Sequence, residues 1–394
     1  PVPSCEEGRS FSGKAMMKAG SFGLLHPSVL FQKKISRVFS SSVHADYLYT
    51  GGKYPFTVDY PQGKQDEKRG NNDVRTFRAE ANLYGRLSGR QIWDTKFYYY
   101  HSEQGVPGAY IQYKQSESGQ RMWNDNVFLQ TRYENRFSED WGLKVSAKFN
   151  RSYQRYLDPD YVLSETDPQK RKLENTYNQY EYYLSGAVLY HGLSPVILSF
   201  SDDAFFNCLD SDVKSYDSPK RFTNLSNVAA LYSNERISLN ANLLFSWVKE
   251  QVGVNLPDKT YSDWSPAVSV SVKPFAPEWR LRFLYRNSFR MPTFNDLYYT
   301  DFEAKELSPE NAEQYNVGTT WNFSCSSGFF RSAYVSADVF YNRITDKIIA
   351  YPSRNLFFWT TINLGKVEAK GIDVSLNTEF SLLTDISLFL YGTY

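Results

Sequence analysis

The sequence predicts an all-β chain, folded as a transmembrane antiparallel up-and-down β-barrel. Three observations carry this. Apolar and polar residues alternate with period two over many segments, which marks strands with one dry face and one wet face. Short turns and long polar loops follow one another along nearly the whole chain. That two-sided regularity belongs to a barrel crossing a membrane and is foreign to Greek-key sandwiches. Aromatic residues make up 17% of the 394, with 31 Tyr, 28 Phe and 8 Trp, enough for girdles at both membrane interfaces and for binding loops. Good β-formers would raise the same count in a soluble all-β protein, so this observation counts only beside the other two.

The elements follow in order. Residues 11–19 form the first strand, and Gly20-Ser21-Phe22-Gly23 turns the chain. Residues 29–33 and 38–49 are the next two strands. Strands over 76–87 and 92–101 join at Ser88-Gly89-Arg90. The rhythm then repeats for 127–137 with 143–153, 180–190 with 196–201, and 225–232 with 237–248. It continues through 266–273 with 280–290, 315–323 with 333–343, and 367–380 with 386–394. Long polar stretches separate these hairpins, at 50–73, 102–121, 157–175, 202–221, 250–263, 291–312 and 345–361. The count is about 17 strands of roughly ten residues, a length that suits a tilted crossing of a bilayer. Helical periodicity is weak, and 169–181 holds a helical turn at most.

The strand 280–290 shows the two faces best. Leu281, Phe283, Tyr285 and Phe289 fall on one side, and Arg280, Arg282, Arg286 and Arg290 on the other. Several arginines cannot line a dry core. Likewise Ile237, Leu239, Ala241, Leu243, Phe245 and Trp247 alternate with Ser238, Asn240, Asn242 and Ser246. Alternation alone does not tell inside from outside. A soluble sandwich would turn the polar set outward, whereas a membrane barrel turns it to the lumen.

The formal net charge is +1, so no nucleic-acid field is implied. No run approaches the roughly 18 to 20 apolar residues of a membrane helix. The mean hydropathy of −0.52 would pass for soluble, a measure blind to strands that are only half apolar. Cys5, Cys208 and Cys325 show no metal spacing, and the strand layout puts Cys208 and Cys325 at opposite ends, too far apart to bridge. No secretory signal opens the sequence, and the alternation runs on to Tyr394, so it reads as an internal piece of a longer protein.

Three short motifs in a fixed order then carry a resemblance. Phe289-Arg290-Met291-Pro292 precedes an aromatic-rich loop. Leu307-Ser308-Pro309-Glu310 is followed by Tyr315, Val317 and Gly318. Asn363-Leu364-Gly365-Lys366 leads into Lys370-Gly371-Ile372-Asp373-Val374. Together they resemble the barrel of TonB-dependent outer-membrane receptors. The resemblance implies a fragment, residues 1–394, holding about 17 of about 22 strands, with the N-terminal plug domain and the C-terminal strands missing. It implies the outer membrane of a Gram-negative bacterium, and import of a scarce nutrient chelate: a ferric siderophore, haem or cobalamin, with cobalamin slightly favoured. Implied partners are outer-membrane lipid, the TonB complex acting through the missing plug, the chelate and a surface lipoprotein. A passive porin-like channel and a soluble all-β adhesin are the alternative readings.

Catalytic patterns are missing. His26, His44, His101 and His191 are scattered, and no G-x-S-x-G, P-loop or H-E-x-x-H occurs, so no enzyme, cofactor or metal site is expected. Asp59, Asp66, Glu67, Asn72 and Asp73 offer oxygen ligands, but Lys64, Lys68 and Arg69 among them favour a solvated charged loop. The loops carry the binding expectation. Tyr110, Tyr113 and Trp123 sit around one long loop, Phe294, Tyr298 and Tyr299 in another, and Trp359 in a third. Flat aromatic surfaces with few polar groups suit a large amphipathic ligand. Interfacial girdle residues would have the same composition. The loop asymmetry yields a topology test: an epitope inserted at Ser116 is stained on intact cells and one at Asn234 is not, whereas staining of Asn234 alone inverts the topology.

Overall fold

A computed structural model describes residues 10–60, 63–107, 118–159, 172–212, 218–251, 257–298, 306–325, 328–352, 359–383 and 386–394. For 352, 359–360 and 382–383 it describes the backbone only. The first strands are β1 (Phe11–Gly20), β2 (Leu24–Lys34) and β3 (Phe39–Thr50). A small hairpin follows, β4 (Pro55–Tyr60) and β5 (Gly63–Lys68). Then come β6 (Val74–Ser88), β7 (Gln91–Gly105), β8 (Arg121–Asn135), β9 (Trp141–Asp158), β10 (Leu173–Leu193) and β11 (Val196–Ser211). The series continues with β12 (Lys220–Ser233), β13 (Ile237–Gln251), β14 (Lys259–Val272) and β15 (Trp279–Arg290). After a one-turn helix, α1 (Phe294–Tyr298), come β16 (Glu310–Ser324), β17 (Phe330–Pro352), β18 (Trp359–Leu383) and β19 (Ile386–Thr393).

Seventeen strands make one antiparallel sheet, and β4–β5 stands apart. Each strand of the large sheet pairs with the next, from β1–β2 through β3–β6 to β18–β19. Every strand read from the sequence is present in this meander. Such pairing is the only way an extended chain satisfies its backbone groups where no water reaches them.

The strands outrun the expected ten residues: β10 has 21, β17 has 23 and β18 has 25. The excess lies at the long-loop end. There the outward residues become polar, as where Arg151 donates to Asn178 at 3.1 and 3.0 Å and Arg155 pairs with Glu174 at 2.6 Å. The ladder continues while the hydrophobic alternation fades, so 173–175 and 202–211 read as loop although they are strand. The turn of helix expected over 169–181 is replaced, from Leu173 onward, by β10. The charged loop at 55–68 is a hairpin, in which Asp59 faces Lys64 at 3.7 Å. Cys208 lies near the loop end of β11 and Cys325 just past the turn end of β16.

Curvature identifies the inside. α1 leaves β15 yet packs on Tyr177 of β10 and Leu209 of β11. A segment at β15 reaches β10 by a short path only across the concave side. Alternation then assigns every other residue. On the outside, register partners form the row Phe31, Val43, Ala81, Phe97, Leu129, Phe149, Tyr182, Phe206 and Phe222, from β2 to β12. A second row is Phe283, Val317, Val339 and Ile372, exposed by 43, 58, 54 and 58%. Large side chains bare in continuous rows would aggregate in water, and a bilayer solvates them.

The inside is polar. Arg282 donates to Asp338 at 2.7 Å, reaching from β15 across β16 to β17. Gly318 lies directly between them, and a Cβ there would stand 2.0 Å from an Asp338 carboxylate oxygen. On β18, Gly371 leaves room for the Phe340 ring, whose tip would lie 2.6 Å from an added Cβ. Both glycines belong to the sequence motifs, and their task is packing. Gly318→Ala should therefore destabilise the barrel by about 1 kcal/mol or more, a half-exposed pair being discounted for solvent. Gly365→Ala, which meets nothing within 4 Å, should not. The check is the temperature at which the folded band is lost in heat-modifiability gels, and equal temperatures for the two variants would contradict the account.

Candidate functional site

The long connections gather at one end, and the strongest clustering of side chains occurs there. α1 is set up by local sequence. Thr293 caps it: the Asp296 N–H donates to Thr293 Oγ1 at 3.2 Å, and the Thr293 N–H donates to Asp296 Oδ2 at 2.8 Å. This reciprocal capping box has its sequence signature in Thr293-x-x-Asp296 after Pro292. Arg290 of β15 donates to the same Asp296 carboxylate at 3.2 Å, tying the helix back to its strand.

α1 is then locked to the opposite wall. Phe294 and Tyr298 are 3% and 2% exposed against Tyr177 and Leu209, with Leu297 packed beside them. Arg221 of β12 stacks over the Phe294 ring at 4.9 Å and donates to the Pro292 carbonyl at 2.7 Å. Arg221 also donates to Glu250, its register partner on β13, at 2.8 Å. Glu250 in turn accepts from the Tyr298 hydroxyl at 2.6 Å. Arg221 and Glu250 are 8% and 4% exposed. A buried charge pair adds little net stability, but removing one member strands the other. The pair therefore fixes where α1 sits.

The three sequence motifs converge next to this lock. Glu310 accepts from Arg290 at 3.3 Å, from Lys347 at 3.2 Å and from the Ile348 N–H at 3.1 Å. Asn363 accepts from the Ser308 N–H at 2.8 Å and donates to the carbonyls of Ser308 and Asp346 at 3.0 and 2.7 Å. So Arg290, Ser308, Glu310 and Asn363 join β15 through β18 at the rim. A second rim cluster ties the connections after β3 and β7. Asn71 donates to the Gln120 carbonyl at 2.6 Å, and Arg121 pairs with Asp73 at 3.0 Å and Glu103 at 2.7 Å. The hydrogen bond from Arg121 holds the Asp73 carboxyl below the usual carboxylate range, against the opposing effect of burial.

The residues expected to bind ligand fall into three groups. Phe294 and Tyr298 are brought together, buried in the lock. Trp123 lies on the outward face of β8, with the Arg155 guanidinium 4.6 Å over its ring. Tyr110, Tyr113 and Tyr299 lie outside the described residues, as does the side chain of Trp359, whose backbone opens β18. Arg221 and Glu250 are the rim residues that sequence reasoning missed, whereas Glu310 and Asn363 stood in its motifs without a structural role. Arg221 and Glu250 are 29 positions apart, and only the register shows that they face each other.

The family model for the TonB dependent receptor-like β-barrel matches residues 37–394. The chain belongs to the TonB-dependent receptor β-barrel family. Comparison with curated proteins finds no match. Among solved structures, it is similar to a double mutant of the Serratia marcescens hemophore receptor HasR in complex with its hemophore HasA and heme. The TM-score there is 0.74 at 12% identity, covering 98% of this chain and 64% of that one. The FrpB iron transporter of Neisseria meningitidis gives 0.71 at 11% identity, covering 97% and 61%. The ferric yersiniabactin uptake receptor FyuA of Yersinia pestis gives 0.62 at 12%, covering 97% and 60%. The chain thus spans less than two thirds of these relatives. As a TonB-dependent receptor barrel, it resides in the outer membrane of a Gram-negative bacterium.

The lock makes a specific prediction. Glu250→Ala should cost α1 docking about 3 kcal/mol, because Arg221 is left buried without its carboxylate. Tyr298→Phe should cost about 1 kcal/mol, the net worth of one hydrogen bond. In the folded receptor, limited proteolysis should nick the connection 291–309 fastest in Glu250→Ala, then in Tyr298→Phe. Equal protection in all three proteins would contradict the lock.

Proposed function

We propose that this barrel is the membrane portion of an importer that takes up a scarce iron chelate, a ferric siderophore or haem, with energy from TonB acting through a plug domain. Membership of the TonB-dependent receptor family over residues 37–394 is the observation that carries this reading. Most of the similar solved structures are described as iron, heme or siderophore receptors, beside a copper transporter, and this majority supports an iron chelate as cargo. None of these is described as a cobalamin receptor, so the leaning to cobalamin drawn from the sequence gives way to iron. Transport is also the chemistry that a polar lumen with a pinned internal loop serves, and the reading has no place for a catalytic step.

Within this reading the loop aromatics divide the work. Tyr110, Tyr113, Tyr299 and Trp359 meet the ligand directly, offering flat apolar surface to it. Phe294 and Tyr298 serve capture indirectly, by setting the position of the loop that carries Tyr299. Trp123 steadies the outer rim with Arg155. A surface lipoprotein partner is consistent with this arrangement and plays no part in the argument.

The test uses the complete receptor in a Gram-negative host lacking its own iron-chelate receptors. Radiolabelled ferric siderophore or haem should enter in TonB-competent cells and fail to enter in TonB-deficient ones. Uptake that is equal in both would establish a passive channel instead, and uptake of cobalamin alone would overturn the cargo. Tyr299→Ala should weaken chelate binding roughly tenfold, the loss of about 1.4 kcal/mol expected for one aromatic anchor, with assembly unchanged. Unchanged affinity in well-assembled protein would remove Tyr299 from the site.

A further inference from the structure

The wall is split between β14 and β15. Their ladder climbs from Val272–Leu281 to Ala267–Arg286 and stops there. Both strands go on, β14 to Lys259 paired with β13 and β15 to Arg290 paired with β16. Pro266 stands just past the last pair, and it has no N–H to offer β15. Beyond Arg290 the chain turns away to Arg221 of β12, which donates to the Pro292 carbonyl at 2.7 Å. The split begins where the outward face turns polar. Below it lies the register row Tyr285, Tyr315 and Tyr341, and above that row come Asn287, Glu313 and Arg343. The parted edges thus stand above the acyl chains, which could not satisfy their backbone groups.

A cavity of about 380 Å³ lies at the split. Phe283 faces lipid, as do its register neighbours Val270 and Leu239, so the residues alternating with them face the lumen. Asn240 and Asn242 of β13, Ser265 and Ser269 of β14, and Arg286 and Ser288 of β15 line the cavity from that side. Among the described residues no carboxylate lines it. Ser265 is spent on Asp263, further up β14, to which it donates at 2.9 Å. The others make no side-chain hydrogen bond or ion pair among the described residues. Arg282 and Arg290, on the same face of β15, do hold carboxylates: Asp338 at 2.7 Å for the first, Asp296 and Glu310 at 3.2 and 3.3 Å for the second. Arg286 stands between them with none.

A guanidinium keeps its proton, and its best partner is an oxyanion held bidentately. The neutral amides and hydroxyls around it add donors without a competing negative charge. The volume exceeds that of a single ion and sits at the low end for small-molecule sites, so the cavity admits one arm of a larger molecule. It also lies on the way in. Higher on the lumen face of β13 come Ser246 and Val248, both buried, and then Glu250 of the α1 lock. A molecule that passes the lock comes to Arg286 below it. Resting on the reading of this barrel as an iron-chelate importer, we propose that Arg286, with Asn240, Asn242, Ser269 and Ser288, binds a free carboxylate of the cargo. The cargo is then a chelate that keeps carboxylates outside the metal's coordination, as haem does with its propionates, and not a neutral chelate whose oxygens are all spent on iron.

The experiment is direct binding to the purified complete receptor. Haem and haem dimethyl ester are one pair of probes, ferric citrate and a neutral ferric hydroxamate the other. Within a pair that binds, the carboxylate-bearing member should bind roughly tenfold tighter, the scale of a charge-assisted hydrogen bond. Arg286→Gln should remove that preference by weakening the carboxylate-bearing member alone. Arg286→Lys, which keeps the charge, should retain part of it. If the variants fail to assemble, the comparison within each pair on the unaltered receptor still decides the matter. Equal binding within both pairs, tighter binding of the esterified or neutral member, an equal loss for all probes in Arg286→Gln, or binding of none overturns the proposal. Those results leave the importer reading standing wherever uptake of an iron chelate depends on TonB. Uptake that is equal with and without TonB removes that reading and leaves the carboxylate preference to be read from the binding.

Discussion

Backbone hydrogen bonding in a medium without water is the constraint on which the rest depends. A strand crossing the bilayer has no solvent to satisfy its N–H and C=O groups, so it must pair with neighbours along its whole length. Pairing of each strand of the large sheet with the next fixes register, and register fixes which side chains stand side by side. The lipid-facing rows through Phe97 and through Phe283 are consequences of it, as is the meeting of Arg221 with Glu250. One-residue slippage would turn the arginines of β15 into lipid and its phenylalanines, Phe283 and Phe289, into the lumen.

The same register explains why the internal charges need small residues between them. Arg282 and Asp338 sit on strands separated by a third, and their contact exists because Gly318 supplies no side chain. At the loop end the demand reverses. There, long side chains from several strands converge on a segment that must be held away from its own strand. Arg221, Glu250 and Tyr298 do this for α1, and Glu310 with Asn363 does it for the connection that follows. The rim is thus held where it meets the wall.

Much of this was legible in the sequence. Period-two alternation placed the seventeen strands of the sheet, and the turn–loop asymmetry placed the two ends. Strand length was not legible, since Arg155, Glu174 and Asn178 remain in the ladder beyond the apolar band, where alternation no longer reports burial. The aromatic loop after β15 was singled out for ligand contact, yet Phe294 and Tyr298 turn inward to the wall. Composition cannot separate an aromatic that meets a ligand from one that anchors a loop. The partners that distinguish them, Arg221 and Glu250, arrive from distant strands. The motifs around Pro292, Glu310 and Asn363 pointed to the right region through their order alone, and the geometry gives the reason: they meet at one junction of the rim.

The central claim is that alternate residues of each strand face lipid and lumen in the sense assigned here. It is tested most directly by nitroxide labels at 282, 283, 338 and 339 of the complete receptor in lipid vesicles. The account predicts that lipid-soluble oxygen relaxes the labels at 283 and 339, while a water-soluble nickel complex relaxes those at 282 and 338. The opposite pattern, or equal access to both reagents at all four positions, would contradict it.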